Sequence, residues 1–299
     1  MRAVIPFPDL SPEIFSISLF GAEFALRWYA LAYLVGIGLG YLLCRAALGR
    51  DRLWPATQAP MRKDQLDDLL TWMILGIILG GRLGFVLFYE PAYYLSHPAE
   101  ILRIWQGGMA FHGGFLGVCV ATLIFCRRNA IPLGSTADML ALAAPPGLML
   151  GRIANFVNAE LWGRPTDAPW GVIFPGPAAQ NCPGVEGLCA RHPSQLYEAG
   201  LEGLVLGLLL IVLAFGTRTL RAPWRLTGVF LTGYGLARFV VEFYRLADAQ
   251  FITPDNPHGH VLRLTETLGL TMGQLLSLPM VIVGLAVIAW SCRKRPALA

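Results

Sequence analysis

Charge is scarce in this 299-residue chain. Asp, Glu, Lys and Arg make up only 14% of it, while hydrophobic residues make up 55% and the mean hydropathy is +0.56. Soluble domains carry about 25% charged residues, so the chain reads as a polytopic membrane protein and not as two soluble domains, although its length would allow them. Other features are missing altogether. No HExxH occurs, and Asp138 is the only aspartate in the interior of an apolar span, which argues against a zinc or aspartyl intramembrane protease. The two halves show no repeat, whereas transporters usually pair theirs. There is no low-complexity tract and no appended soluble domain. Residues 1–26 hold Asp9, Glu13 and Glu23 and lack a short apolar core behind a basic head, so no cleavable signal peptide is expected. The six cysteines follow no metal-ligand spacing. Cys44, Cys119, Cys126 and Cys292 lie in or beside spans as small apolar filler. Cys182 and Cys189 share one external loop, where an oxidising compartment admits either a local disulfide or two thiols.

What is present is a series of about seven apolar stretches, near 28–48, 68–89, 108–127, 135–158, 195–216, 225–245 and 271–292. Most have the roughly 20 residues that a bilayer core of about 30 Å requires. The expectation is a single all-α domain over residues 1–299, a bundle of about seven transmembrane helices. The fourth should be kinked or broken at Pro145, Pro146 and Gly147, where irregular backbone needs shielding by protein or a wet cavity. Thirteen basic residues follow the first, third, fifth and seventh spans, from Arg45, Arg127, Arg218 and Arg293 onward. Seven (Arg2, Arg27, Arg103, Arg164, Arg191, Arg245 and Arg263) are spread over the longer loops of the alternate side. The positive-inside rule then puts the N-terminus outside and the C-terminus in the cytoplasm.

Against that apolar background the polar residues stand out. The run GRIANFVNAELWGRPT, Gly151 to Thr166, packs two arginines, two asparagines and a glutamate into sixteen residues at or near membrane depth. Ionisable groups there are expensive and usually pair or face a cavity. Arg152, Asn155 and Asn158 are spaced three apart, roughly on one helical face, with Glu160, Gly163 and Arg164 following. A capped helix end with a snorkelling arginine leaves the asparagines and Glu160 unexplained. Gly163 should let the backbone turn or approach a ligand closely. In the sixth span Tyr234, Arg238 and Glu242 stand at i, i+4 and i+8 on one face. They form either a structural Arg–Glu lock or an anion site in which Arg238 grips a phosphate and Glu242 orients it. His112 sits among Gly107, Gly108, Gly113 and Gly114, which should leave space around a ring suited to proton transfer. Arg82, after Gly80 and Gly81, either pairs with an acid or makes a second phosphate contact. Trp28 and Tyr29 open the first span, where an aromatic-belt role is preferred for Trp28 and is one reading of Tyr29, and Ser194 could cap the fifth behind Pro193. His258 and His260 read as loop residues. The polar groups fall toward the outer half of the membrane, where a cationic cluster beside a histidine suits an anionic phospholipid head group.

These residues resemble one family, the bacterial prolipoprotein diacylglyceryl transferases. GRIANFVNAELWGRPT looks like its hallmark, and LRWYALAYLVG, GGRLGFVLFY, GGMAFHGGFLG, RHPSQLYE, GYGLARFVVEFYR and MGQLLSLPM follow the family order over nearly the whole chain. One departure is Ala154, where the family has glycine. The resemblance implies transfer of the diacylglyceryl group of phosphatidylglycerol to the lipobox cysteine thiol of a prolipoprotein signal peptide, with release of glycerol-1-phosphate, at the outer face of the inner membrane. Its partners would be that membrane lipid and that peptide, with no nucleic acid, cofactor or metal. His112 would take the thiol proton or else only orient the lipid. Arg152 and Arg238 would hold the departing phosphate, Asn155, Asn158 and Glu160 the head group, and Glu242 would hold Arg238. Tyr29, Gly163 and Tyr234 would also line the site.

Overall fold

The computed structural model describes residues 5–19, 22–182, 185, 187–265 and 268–293, without the side chains of residues 19 and 22–24. Arg2, the side chain of Glu23, Lys294 and Arg295, used above in the signal-peptide and charge arguments, lie outside the described residues. The chain is mostly helical. Its long helices are α1 (Trp28–Leu48), α2 (Lys63–Phe88), α3 (Phe111–Arg128), α4 (Leu133–Val157), α5 (Ser194–Gly216), α6 (Arg225–Val241) and α7 (Met272–Arg293). Six of them, all but α6, are long and apolar enough to cross a membrane. Between 17% and 33% of each apolar window is buried inside the protein, so most of that surface faces outward and requires a nonaqueous solvent. At 17 residues, α6 spans about 26 Å.

Among the described residues three short strand pairs depart from an all-α reading. Glu13–Leu19 and Ala22–Arg27 form an antiparallel hairpin just ahead of α1. Ile5–Pro6 lies parallel to Val172–Ile173, and Leu262–Arg263 pairs with Gly269–Leu270. The alternation in Glu13–Leu19, with Phe15 and Ile17 on one face, has the two-residue period of a strand. Pro145 and Pro146 do not divide α4, which runs as one element from Leu133 to Val157.

The chain forms two compact units, Met1–Cys44 with Asp138–Ala299, and Arg45–Ala137. The smaller unit is built on α2 and α3, which approach so closely that side chains are excluded. A Cβ on Gly80 would meet the Gly113 carbonyl oxygen and, at 2.8 Å, the Gly117 Cα, and one on Gly84 would lie 2.8 Å from the Gly113 Cα. Gly76, Gly80 and Gly84 recur every four residues on one face, the small-residue pattern that lets membrane helices gain dispersion contacts where no hydrophobic effect drives them together. Of the glycines beside His112, Gly113 serves this helix contact, whereas a Cβ on Gly107 would meet nothing within 4 Å and the His112 ring is exposed. In the larger unit α1 packs on α4 in the same way, a Cβ on Gly36 falling 2.8 Å from the Gly147 Cα, and α6 packs on α7 through Gly228 and Gly284. Asp138, buried in α4, accepts hydrogen bonds from the Thr227 amide at 2.7 Å and hydroxyl at 2.8 Å, which fixes the first turn of α6.

Overpacking a tight contact costs roughly 1–3 kcal/mol. Gly80→Leu should lower the melting temperature in detergent, while Gly38→Leu, where a Cβ meets nothing within 4 Å, should leave it nearly unchanged.

Candidate active site

The polar residues of the larger unit converge on one carboxylate. Glu198, in the first turns of α5, is 1% exposed. Its Oε2 takes the Arg152 Nε at 2.5 Å, and its Oε1 receives Nη1 of Arg245 at 2.9 Å and Nη1 of Arg238 at 3.3 Å. Glu242, just past the end of α6, pairs with Arg238 Nη2 at 3.1 Å and lies 3.6 Å from Arg245 Nε. Three guanidiniums thus share two carboxylates. Burial makes each charge costly alone, so each requires the others as partners. Gly273 leaves room for Glu242, since a Cβ there would fall 2.6 Å from its Oε2, and the Thr271 hydroxyl donates to Glu242 Oε1 at 3.2 Å. Glu202, one turn beyond Glu198, is fully buried, and among the described residues neither of its carboxylate oxygens has a hydrogen-bond partner. It lies in a π-helical stretch, Ala199–Val205, the kind of irregular turn often found at functional sites. Tyr234 interacts electrostatically with Glu202, Arg238, Arg152 and Glu198.

A second group adjoins Arg152 along α4. Asn155 Nδ2 donates to the Tyr29 hydroxyl at 2.5 Å and to Glu160 Oε1 at 3.3 Å, and Asn158 Nδ2 donates to the same carboxylate oxygen at 3.1 Å. Glu160 is held in the loop after α4 between Ala159 and Leu161, two non-glycine residues with left-handed φ of 53° and 57°. Such backbone costs about 1–3 kcal/mol per residue and persists only where its surroundings over-determine it. Here Gln195 donates its side-chain amide to the Glu160 carbonyl at 2.5 Å, and the Ser194 hydroxyl donates to the Leu161 carbonyl at 3.1 Å. Ser194 thus ties two loops together and does not cap its own helix. Gly163 is used for a backbone contact. Its amide donates to the His192 carbonyl at 2.9 Å, and a Cβ would collide with the Tyr244 carbonyl oxygen and approach His192 to 2.8 Å.

Of the residues expected from the sequence, Arg152, Arg238, Glu242 and Tyr234 belong to the Glu198 cluster. Tyr29, Asn155, Asn158 and Glu160 form the adjoining network, and Gly163 lies at the loop joining it to the segment after α6. His112 belongs to the smaller unit, in the first turn of α3 with an exposed ring. Among the described residues Arg82 pairs with no acid. It is 4% exposed, and its donors go to backbone carbonyls. Glu198, Glu202 and Arg245 were missed as site residues. Both glutamates could have been found as charges inside an apolar span, and Arg245 by its i+7 spacing from Arg238. Cys182 and Cys189 form a disulfide. Among the described residues no group of three or more His, Cys, Asp or Glu converges as metal ligands would.

His192, before the first turn of α5, hydrogen-bonds through Nδ1 to the Tyr197 hydroxyl at 3.1 Å. Burial, and then the positive charge of Arg164, hold its imidazole below the usual histidine range. The unfolded chain therefore takes up this proton at a higher pH than the folded one. Stability should be fully present above about pH 6.5 and fall as pH drops below it. Thermal melts between pH 5.5 and 7.5 should show that slope in the native protein and a shallower one in His192→Gln. Replacing Glu198 by alanine removes the acid of Arg152 and leaves Arg238 and Arg245 to share Glu242. Loss of one partner of a buried pair costs about 3–5 kcal/mol, so Glu198→Ala should melt far below the native protein.

The sequence model of the prolipoprotein diacylglyceryl transferase family matches residues 15–290. A phosphatidylglycerol–prolipoprotein diacylglyceryl transferase from Ruegeria pomeroyi is 65% identical over 285 residues, covering 95% of this chain and 96% of its own. One from Cereibacter sphaeroides is 63% identical over 281 residues, covering 94% and 96%. One from Rhizobium leguminosarum is 49% identical over 285 residues, covering 95% and 93%. With a cluster of three arginines beneath the conspicuous run of the sequence and similarity of this extent, the chain belongs to the prolipoprotein diacylglyceryl transferase family.

Proposed function

We propose that the protein transfers the diacylglyceryl group of phosphatidylglycerol to the thiol of a lipobox cysteine in a prolipoprotein signal peptide, the first step of lipoprotein maturation. The observation that carries this reading is the Arg152–Arg238–Arg245 cluster around Glu198, whose guanidiniums keep 15–23% of their side-chain surface open. Arg152 and Arg238 hold the phosphate of the lipid through planar, charge-assisted hydrogen bonds. The cysteine sulfur attacks the glyceryl carbon that bears the phosphate ester. A C–S bond forms, the C–O bond breaks, and the electron pair leaves with glycerol-1-phosphate. The charge growing on that phosphate is stabilised by cations already oriented by Glu198 and Glu242, so little reorganisation accompanies the reaction.

The thiolate is the nucleophile and the thiol is mostly protonated near neutrality. His112 accepts its proton. Asn155, Asn158, Glu160 and Tyr29 orient the head group, Tyr234 lines the phosphate side, and Gly163 holds the loop against the segment after α6. Transfer is direct, without a covalent enzyme intermediate, cofactor or metal.

The charge asymmetry of the loops supports a multi-pass protein of the bacterial inner membrane with N-terminus outside, C-terminus cytoplasmic and active site toward the outer face. Residues 1–299 act as one transferase domain. α6 supplies a seventh crossing, the span continuing to residue 245, and the paired prolines bend α4.

Purified protein in detergent, given radiolabelled phosphatidylglycerol and a lipobox peptide, should yield labelled thioether peptide and glycerol-1-phosphate. A Cys-to-Ser peptide and the Arg238→Ala variant should both abolish the product. Absence of transfer by folded protein would sink the reading.

A further inference from the structure

Arg82 lies near the end of α2, almost wholly buried, and among the described residues no carboxylate contacts it. A buried cation without an acid is costly unless its donors are satisfied, and four carbonyls do so here. Nη2 donates to Glu100 O at 2.6 Å and Nε to Ile101 O at 2.8 Å. Nη1 donates to Gly107 O at 2.7 Å and Gly108 O at 3.2 Å. The Tyr94 ring lies 5.1 Å from the guanidinium carbon, at cation–π range. One side chain therefore ties two points of the same segment, 100–101 and 107–108, to each other and to α2. Gly107 and Gly108, with φ of 88° and 77°, turn the chain back toward the guanidinium. Two residues later the Ala110 amide donates to the Gly81 carbonyl at 2.9 Å, and Ala110 is the N-cap of α3. His112 follows in the first turn.

We infer that Arg82 is a positioning residue for the transfer reaction: by clamping the backbone of residues 100–108 it fixes the start of α3 and hence the His112 imidazole. The inference rests on the reading of His112 as proton acceptor. The planar guanidinium is needed because it offers donors in fixed directions to carbonyls on two sides, which an ammonium on a flexible stem does not. Gly108 belongs to the same device. A Cβ there would fall 2.8 Å from Arg82 Nη1 and 2.7 Å from the Phe85 ring, so alanine at that position displaces the clamp without touching its charge.

The test is a double-variant cycle on the full-length protein in detergent, with Arg82→Lys, Gly108→Ala, His112→Gln and the two combinations with His112→Gln. A displacement of about 1 Å at a reacting group costs about 100-fold in rate. Arg82→Lys and Gly108→Ala should each lower kcat by about that factor, leave KM for phosphatidylglycerol within about twofold, and add nothing to the loss caused by His112→Gln. Trypsin should cleave after exposed Arg103, inside the clamped segment, faster in both variants than in the native protein. Losses that multiply with that of His112→Gln, unchanged kcat in Arg82→Lys, or unchanged cleavage at Arg103 would each overturn the inference while leaving the transferase reading in place. Full transfer by His112→Gln alone would overturn the proton-acceptor role, and the positioning role with it, without any Arg82 variant. Gly108→Ala keeps the cycle decisive if Arg82→Lys fails to fold.

Discussion

The arginine cluster of the larger unit depends on a single buried carboxylate. Glu198 forms ion pairs with three guanidiniums, on α4, α6 and the segment after α6. In a protein whose helices present mostly apolar surface outward, a charge of this kind is tolerated only where opposite charges and hydrogen bonds surround it. The consequence is mechanical as well as electrostatic, because three separate stretches of chain are brought to one point. Guanidiniums held in this way are oriented before any ligand arrives, the condition under which fixed charges stabilise developing charge most strongly.

The loop after α4 shows how the same unit accommodates local strain. Ala159 and Leu161 adopt left-handed backbone, and the carbonyls of Glu160 and Leu161 are secured by Gln195 and Ser194 from the start of α5. The two stretches most conspicuous in the sequence, Gly151–Thr166 and RHPSQLYE, are thus one structural device. The second supplies both the central carboxylate and the bonds that hold the first in shape. The smaller unit solves a comparable problem differently, the Arg82 donors being satisfied by backbone carbonyls with the Tyr94 ring beside them.

Much of this was legible beforehand. The spacing of Arg238 and Glu242 announced an ion pair on one helical face, and the apolar runs marked the helices to within a few residues at most ends. The helix contact made by Gly113 is not legible beside His112, since a glycine that frees space and a glycine that admits a neighbouring helix look alike in a sequence. Arg82 was recognised as anomalous, yet carbonyl acceptors carry no sequence signature, so its partners could not be named. The strand pair ahead of α1 escaped because seven residues of alternation are a weak signal beside a 21-residue apolar helix.

By itself the sequence determined the solvent, the helices and the chemical character of the site, because hydropathy, periodicity and residue type are local properties carried by the chain. Which carboxylate would become the centre was decided only by the tertiary structure. Glu198 lies 46 residues after Arg152 and 40 before Arg238, and no local rule links positions so distant. Helix packing through glycine surfaces sets which faces meet, and the cost of burying charge then selects the arrangement in which every guanidinium of the cluster finds an acid.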